Sequence, residues 1–161
     1  MKKGWIGCLL FFAAFINTNA QNGLEYMPFD SLYNGIQKNK EILILNFWAT
    51  WCKPCVMELP EFEKIHTDFN TKGVKVVLAN MDLHSKTEST VPPFMIKNNI
   101  QSHVVHITNT DPNDFINTID PAWSGALPAT AIYYQGKKVW FHEGETSYEE
   151  LKSILIKYIQ Q

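Results

Sequence analysis

The 161-residue sequence contains no arginine: all 14 of its basic side chains are lysines. A planar guanidinium clamp for phosphate or carboxylate is therefore excluded, and phosphoryl-transfer chemistry loses its usual tool. Cysteine is scarce, with only Cys8, Cys52 and Cys55. A secreted domain of this size that leaned on disulfides for stability would carry more. No apolar run reaches the roughly 20 residues that a membrane-spanning helix needs. No internal repeat or low-complexity segment is present, and neither sign of charge dominates, the net being −2. Without a basic patch there is no footprint for nucleic acid.

What the sequence does contain begins with Lys2 and Lys3, an uncharged apolar run from Gly4 to Ile16, and the small residues Thr18-Asn19-Ala20. This order reads as a cleavable signal peptide over residues 1–20, with the mature chain starting near Gln21. An uncleaved N-terminal anchor is the alternative. Either places the rest of the chain outside the cytoplasm. Cys8 lies within the run and would leave with the signal, so the mature chain would keep two cysteines. Residues 21–161 are expected to form one domain, because a chain of this length that is 45% hydrophobic can fill one core but not two.

Ile42 to Trp48 is a nearly continuous apolar run, as expected of a strand buried on both faces. A helix is predicted from Lys53 or Pro54 to about Thr71, closed by Gly73, and a second buried strand from Val74 to Met81. Strand, helix and strand form a βαβ unit with a right-handed crossover. Before it, Asp30 is a candidate cap for a short helix through about Gln37. After it, residues 85–99 look helical but are interrupted by Pro92-Pro93, His103 to Ile107 is a candidate strand, and Asp111-Pro112 signals a short helix through about Ile119. Ala129 to Tyr134 and Lys138 to His142 flank a Gly-containing turn and read as a hairpin. Ser147 and Glu150 form a capping box for a last helix, whose Leu151, Ile154, Leu155, Tyr158 and Ile159 make a docking stripe. The sum is an α/β domain, βαβ followed by ββα on one mixed sheet with helices on its faces.

Cys52 and Cys55 sit in Trp51-Cys52-Lys53-Pro54-Cys55, at the junction between a buried strand and a helix. A helix N-terminus offers unpaired N–H groups and the positive end of the dipole, which favour a thiolate and lower a cysteine pKa from about 8.5 to roughly 3.5–7.5. Lys53 supplies a further cation. As a staple the pair would do little: closing so short a loop contributes about 2 kcal/mol, against roughly 3 for a 15-residue loop. A reactive dithiol is the better reading, with Cys52 attacking a substrate disulfide and Cys55, one turn on, resolving the mixed disulfide. Zinc uses the same spacing but needs two more ligands. No third cysteine remains, and His66, His84, His103, His106 and His142 are scattered, so no metal is expected.

Asn46-Phe47-Trp48-Ala49-Thr50-Trp51-Cys52-Lys53-Pro54-Cys55, together with Gly125-Ala126-Leu127-Pro128-Ala129-Thr130, resembles the TlpA/ResA-like extracytoplasmic thioredoxins over about residues 24 to 159. The resemblance implies a thioredoxin-like fold and a thiol:disulfide oxidoreductase whose only redox group is the Cys52-Cys55 pair, with no cofactor. It implies that Pro128 is cis and packs beside the cysteines, with Leu127 offering its backbone to a substrate strand. Thioredoxin itself resembles the pattern but carries a buried aspartate where Asn46 stands. Glu58 matches the active-site glutamate of the ResA-like subgroup and becomes the candidate for moving protons, against the plainer reading of a solvated helix glutamate.

Trp51, Lys53, Pro54, Leu127 and Pro128 are the expected substrate contacts. Trp48 is expected in the core, and Trp123 either in the core or lining the same groove. The partners implied are protein disulfides, such as apocytochrome c or other envelope proteins, and a membrane thiol electron donor. A monomer is expected. Three alternatives stay open on the sequence alone: an oxidase or isomerase of the same fold, a copper-handling module or chaperone in which Cys52, Cys55 and a histidine bind metal without turnover, and a non-catalytic binding domain.

Overall fold

The computed structural model describes residues 23–109 and 111–159; the expected signal peptide and Cys8 lie outside these. Six strands, β1 (Glu25–Met27), β2 (Ile42–Trp48), β3 (Val74–Asn80), β4 (His103–Ile107), β5 (Ala129–Tyr134) and β6 (Lys137–Glu143), form one sheet in the order β1-β4-β3-β2-β5-β6. The β1/β4, β4/β3 and β3/β2 pairs are parallel, and β2/β5 and β5/β6 are antiparallel. The helices are α1 (Phe29–Lys38), α2 (Lys53–Phe69), α3 (His84–Lys97), α4 (Ile116–Ile119) and α5 (Tyr148–Ile159). This is the thioredoxin-like arrangement, and among the described residues no helix is long and apolar enough to cross a membrane.

β2 is buried along its whole length, as its composition requires of a central strand. Its alternation divides the core. Ile42, Ile44 and Trp48 face one side, where Cys55, Leu59, Phe62 and Ile65 of α2 pack with α3 and α5. Leu43, Leu45 and Phe47 face the other, against Phe29, Leu32 and Ile36 of α1 and the Phe115 to Trp123 segment. Asn46 shares the pleat of Ile44 and Trp48, so the only polar residue of the strand points at α2. It lies directly opposite Thr130 of β5.

Several expectations are corrected. Asp30 does not cap α1: the cap is Pro28, and the Phe29 N–H donates to Asn109 Oδ1 at 2.7 Å. Only half of the capping box forms. The Glu150 N–H donates to Ser147 Oγ at 3.3 Å, but the Glu150 carboxylate accepts from the Thr146 hydroxyl, and Glu61 of α2 takes the Tyr148 N–H at 3.0 Å. Pro92 and Pro93 do not interrupt α3. Each removes an N–H that would donate to the carbonyl of Glu88 or Ser89, but Val91 and Met95 on either side are buried in the core, and that packing holds the helix through them. The hairpin turn is a two-residue one, Gln135 and Gly136 both having positive φ (50° and 75°), so β6 starts at Lys137.

Candidate active site

β2 delivers the chain to the front edge of the sheet, and the loop after it turns at once into α2. The Cys52 N–H donates to the Ala49 carbonyl at 3.1 Å, and Cys52 becomes the N-cap of α2. Pro54 occupies the first turn, where its missing N–H costs nothing. Cys52 and Cys55 are joined by a disulfide, with Cα atoms 5.3 Å apart. The Cys55 N–H points at Cys52 Sγ at 3.3 Å, so the helix end offers a backbone donor to this sulfur in particular. Cys55 has no exposed surface and Cys52 retains 6%. Trp51 stands 67% exposed beside them, Lys53 is exposed and Pro54 half-buried.

Glu58 lies one turn beyond Cys55 and is buried, unlike Glu61 and Glu63, which keep partial exposure. Its Oε1 accepts from Asn46 Nδ2 at 2.7 Å and its Oε2 from the Thr146 N–H at 2.9 Å. Asn46 Nδ2 also donates to Thr130 Oγ1 at 3.1 Å. Burial raises the Glu58 carboxyl to about 7; the Thr146 and Asn46 bonds oppose the rise and the charge of Glu145 adds to it. Near neutral pH this carboxyl is therefore poised to take or give a proton. Thr130 and Thr146, 84 and 88 residues from their partners, were not singled out in the sequence. Only the cross-strand register and the docking of the β6–α5 loop bring them in.

A second network fixes the loop before Cys52. The Thr50 N–H donates to Asp82 Oδ2 at 2.9 Å and the Thr50 hydroxyl to Asp82 Oδ1 at 2.5 Å. Asn80 Nδ2 donates to Asp82 Oδ2 at 2.6 Å, which leaves Asn80 Oδ1 to accept from His106 Nδ1–H at 3.1 Å. His106 Nε2 is then an acceptor, with His84 Nδ1 at 3.3 Å and the Thr87 hydroxyl at 3.4 Å as the donors in reach. Burial, with the neighbouring His84, holds His106 below the ordinary imidazole range. His103 and His106 do fall on opposite faces of β4, the first exposed and the second buried. Asp82 thus ties the end of β3 to the active-site loop through three donors. Asp82→Asn replaces one acceptor by a donor facing them and is expected to cost about 2 kcal/mol. Chemical denaturation measures that loss, and amide exchange at Thr50 should quicken by a factor of at least ten.

The Leu127-Pro128 bond is cis, as the resemblance implies, and the Pro128 carbonyl accepts from the Gly144 N–H at 2.8 Å. The loop before it is pinned at two points. Trp123 Nε1 donates to the Ala126 carbonyl at 2.9 Å, and the Ser124 N–H and hydroxyl both donate to Glu143 at 2.6 Å, holding that carboxyl below its usual range. A cavity of about 380 Å³ opens between this loop and Trp51, lined by Met81, Ile116, Trp123 and Leu127 among others. Both readings of Trp123 hold: it is 4% exposed in the core and its ring also walls the cavity. Trp48 is fully buried, as expected.

This geometry has relatives. Residues 31–141 match the AhpC/TSA family. ResA of Oceanobacillus iheyensis, named a thiol-disulfide oxidoreductase, is 35% identical over 88 residues, 55% of this chain and 41% of that protein. A protein of the same name from Bacillus cereus is 32% identical over 116 residues, 71% of this chain and 62% of its own. The chain therefore spans less than two thirds of either relative. The solved structure of a thiol:disulfide interchange protein of the thioredoxin family from Chlorobium tepidum TLS superposes with a TM-score of 0.63 at 20% identity, covering 78% of this chain and 84% of that one, a likeness of fold. With the family matched over most of its length and the disulfide, the cis-proline and Glu58 in place, the chain belongs to the AhpC/TSA family, as a thioredoxin-fold protein of the TlpA/ResA-like kind.

Proposed function

We propose that this protein is an extracytoplasmic thiol:disulfide oxidoreductase that reduces protein disulfides through Cys52 and Cys55. The observation that carries the reading is the disulfide itself, set at the N-terminus of α2 with Cys52 keeping a small exposed edge and Cys55 sealed behind it. A substrate can reach only Cys52 first. The Cys52 thiolate attacks one sulfur of the substrate disulfide; a Cys52–substrate bond forms, the substrate S–S bond breaks, and the departing sulfur takes up a proton. Cys55 then loses its proton and attacks Cys52 Sγ, closing the Cys52–Cys55 disulfide and releasing the second substrate thiol. Two electrons and two protons pass to the substrate, and a thiol donor must restore the dithiol. Glu58, poised near neutrality, is the group assigned to carry these protons.

The names of the ResA relatives support the activity. Direction rests on electrostatics. A helix N-terminus stabilises the Cys52 thiolate and so favours the reduced form, which makes a pair oxidising. Glu58 works the other way: once ionised, a buried carboxylate one turn from Cys55 disfavours a second negative charge nearby and destabilises the dithiolate side of the couple. Lys53 and Pro54 between the cysteines are in keeping with a reductase. The extracytoplasmic setting rests on residues 1–20, and with it the expected substrates, apocytochrome c or other envelope proteins, and a membrane thiol donor. Equilibrium titration of the couple against a dithiothreitol or glutathione buffer tests the direction. A potential near about −250 mV or below is expected, and one near about −120 mV would make the protein an oxidase.

A further inference from the structure

Asn46 is fully buried and half-satisfied. Its Nδ2 makes two hydrogen bonds, to Glu58 Oε1 and Thr130 Oγ1, while its Oδ1 is buried with no partner among the described residues. Buried acceptors are normally paired, and one left alone in the centre of a sheet requires a reason. The arrangement suits one protonation state of Glu58 only. An ionised carboxylate accepts both bonds offered to it, from Asn46 Nδ2 and from the Thr146 N–H. When Oε1 carries a proton, its O–H meets the Asn46 N–H, donor against donor. The Thr146 N–H is backbone and cannot reverse, and a carboxyl's carbonyl oxygen accepts better than its hydroxyl, so the arrangement favours Oε2 as the carbonyl that keeps this bond and Oε1 as the hydroxyl.

A carboxamide can reverse. Half a turn about its last torsion exchanges Oδ1 and Nδ2 at nearly the same positions. Oδ1 would then accept from the Glu58 O–H. Thr130, whose hydroxyl both donates and accepts, would rotate to donate to Oδ1 where it now accepts from Nδ2. In each state one end of the carboxamide points into the same unpartnered space, oxygen in one and nitrogen in the other. The orphan contact is then shared between the two states, which is a physical reason for it to persist.

We propose that the Asn46 carboxamide turns over as Glu58 gains and loses its proton, with Thr130 switching from acceptor to donor, so that Asn46 is a positioning residue that keeps Glu58 hydrogen-bonded in both states. This rests on the reading of Glu58 as the proton carrier. The groups that bear on Glu58 are Asn46 from β2 and Thr146 and the charged Glu145 from the loop after β6; Cys55, one turn away on the same helix, is held in the disulfide. Thr130 of β5 acts through Asn46. A fixed aspartate at position 46 could not do the same, since it would offer no donor to ionised Glu58.

The test uses the full chain in its disulfide form, where neither cysteine titrates, followed by nuclear magnetic resonance between about pH 4.5 and 9. The Asn46 side-chain NH₂ signals are expected to shift with the same midpoint as the Glu58 carboxyl carbon. Their contacts to the Thr130 methyl should be strong above that midpoint and weaken below it. Contacts that stay unchanged through the titration overturn the proposal, and this measurement needs no variant. Asn46→Leu, which removes the charge-assisted donor to ionised Glu58, should raise the midpoint by about one pH unit or more. The reading of Glu58 is separated by alkylation of Cys52 in the reduced protein. If the amide turns over but the alkylation rate shows no step at the Glu58 midpoint, proton carriage by Glu58 fails while its coupling to Asn46 stands.

Discussion

Cys55→Ser is expected to leave substrate covalently attached to Cys52, and Cys52→Ser to attach none. The asymmetry follows from burial: Cys52 keeps a sliver of exposed surface and Cys55 has none, so only the first can meet a sulfur on another chain. It is reinforced by the Cys55 N–H directed at Cys52 Sγ, which stabilises charge on that sulfur and not on the other. With Cys55 gone, the mixed disulfide has no resolving thiol within a turn of helix and should persist until an external thiol releases it. Disulfide reduction should fall on the order of 10³-fold or more in either variant, because each removes a nucleophile that turnover requires. Non-reducing electrophoresis of the variants after exposure to a disulfide-bonded protein reads the outcome. Trapping by Cys52→Ser in place of Cys55→Ser would reverse the roles assigned to the two cysteines.

Much of this centre was legible in the residues. Cys52, the start of α2 at Lys53 and the strand from Ile42 to Trp48 were all placed by local signals: an apolar run, a proline in a first turn, a CxxC spacing. Glu58 and the cis bond at Pro128 came from resemblance, and burial of Glu58 removes the plainer reading of a solvated glutamate. What local pattern could not show is what lies far off in sequence. β1 is three residues long and pairs with β4 some eighty residues away, so it has neither the length nor the alternation to announce itself. His106 could be placed on one face of a strand, but nothing near it in sequence says that this face closes over Asn80 and His84. The same holds for Thr130 and Thr146. Their roles exist only once the sheet sets the register and α5 docks on α2.

Glu58→Gln is expected to stabilise the disulfide form of the protein above neutral pH and to leave it little changed near pH 4.5. An unfolded glutamate titrates near 4.5, while burial raises the folded carboxyl to about 7. Between these values the folded chain holds a proton that the unfolded chain has released, so stability falls as pH rises through that window and is level on either side of it. The gap corresponds to about 3 kcal/mol. Glutamine does not titrate, so the difference between variant and wild type should grow by that amount, on the order of 6–12 °C in Tm for a chain of this size. Other groups titrate alike in both proteins and drop out of the difference. Thermal unfolding of the two at pH 4.5 and pH 8 measures it, and parallel curves would show that Glu58 ionises as an ordinary surface carboxylate does. The same substitution should flatten the pH step in Cys52 reactivity, and if that step remained Glu58 would lose its role in proton transfer. Glutamine is also the amide likeness of a protonated Glu58. Its carbonyl can keep the Thr146 N–H, and its NH₂ then faces the group that Asn46 presents. That pairing is satisfied only with Asn46 Oδ1 turned inward, so Glu58→Gln should lock at every pH the orientation that wild type adopts only in acid.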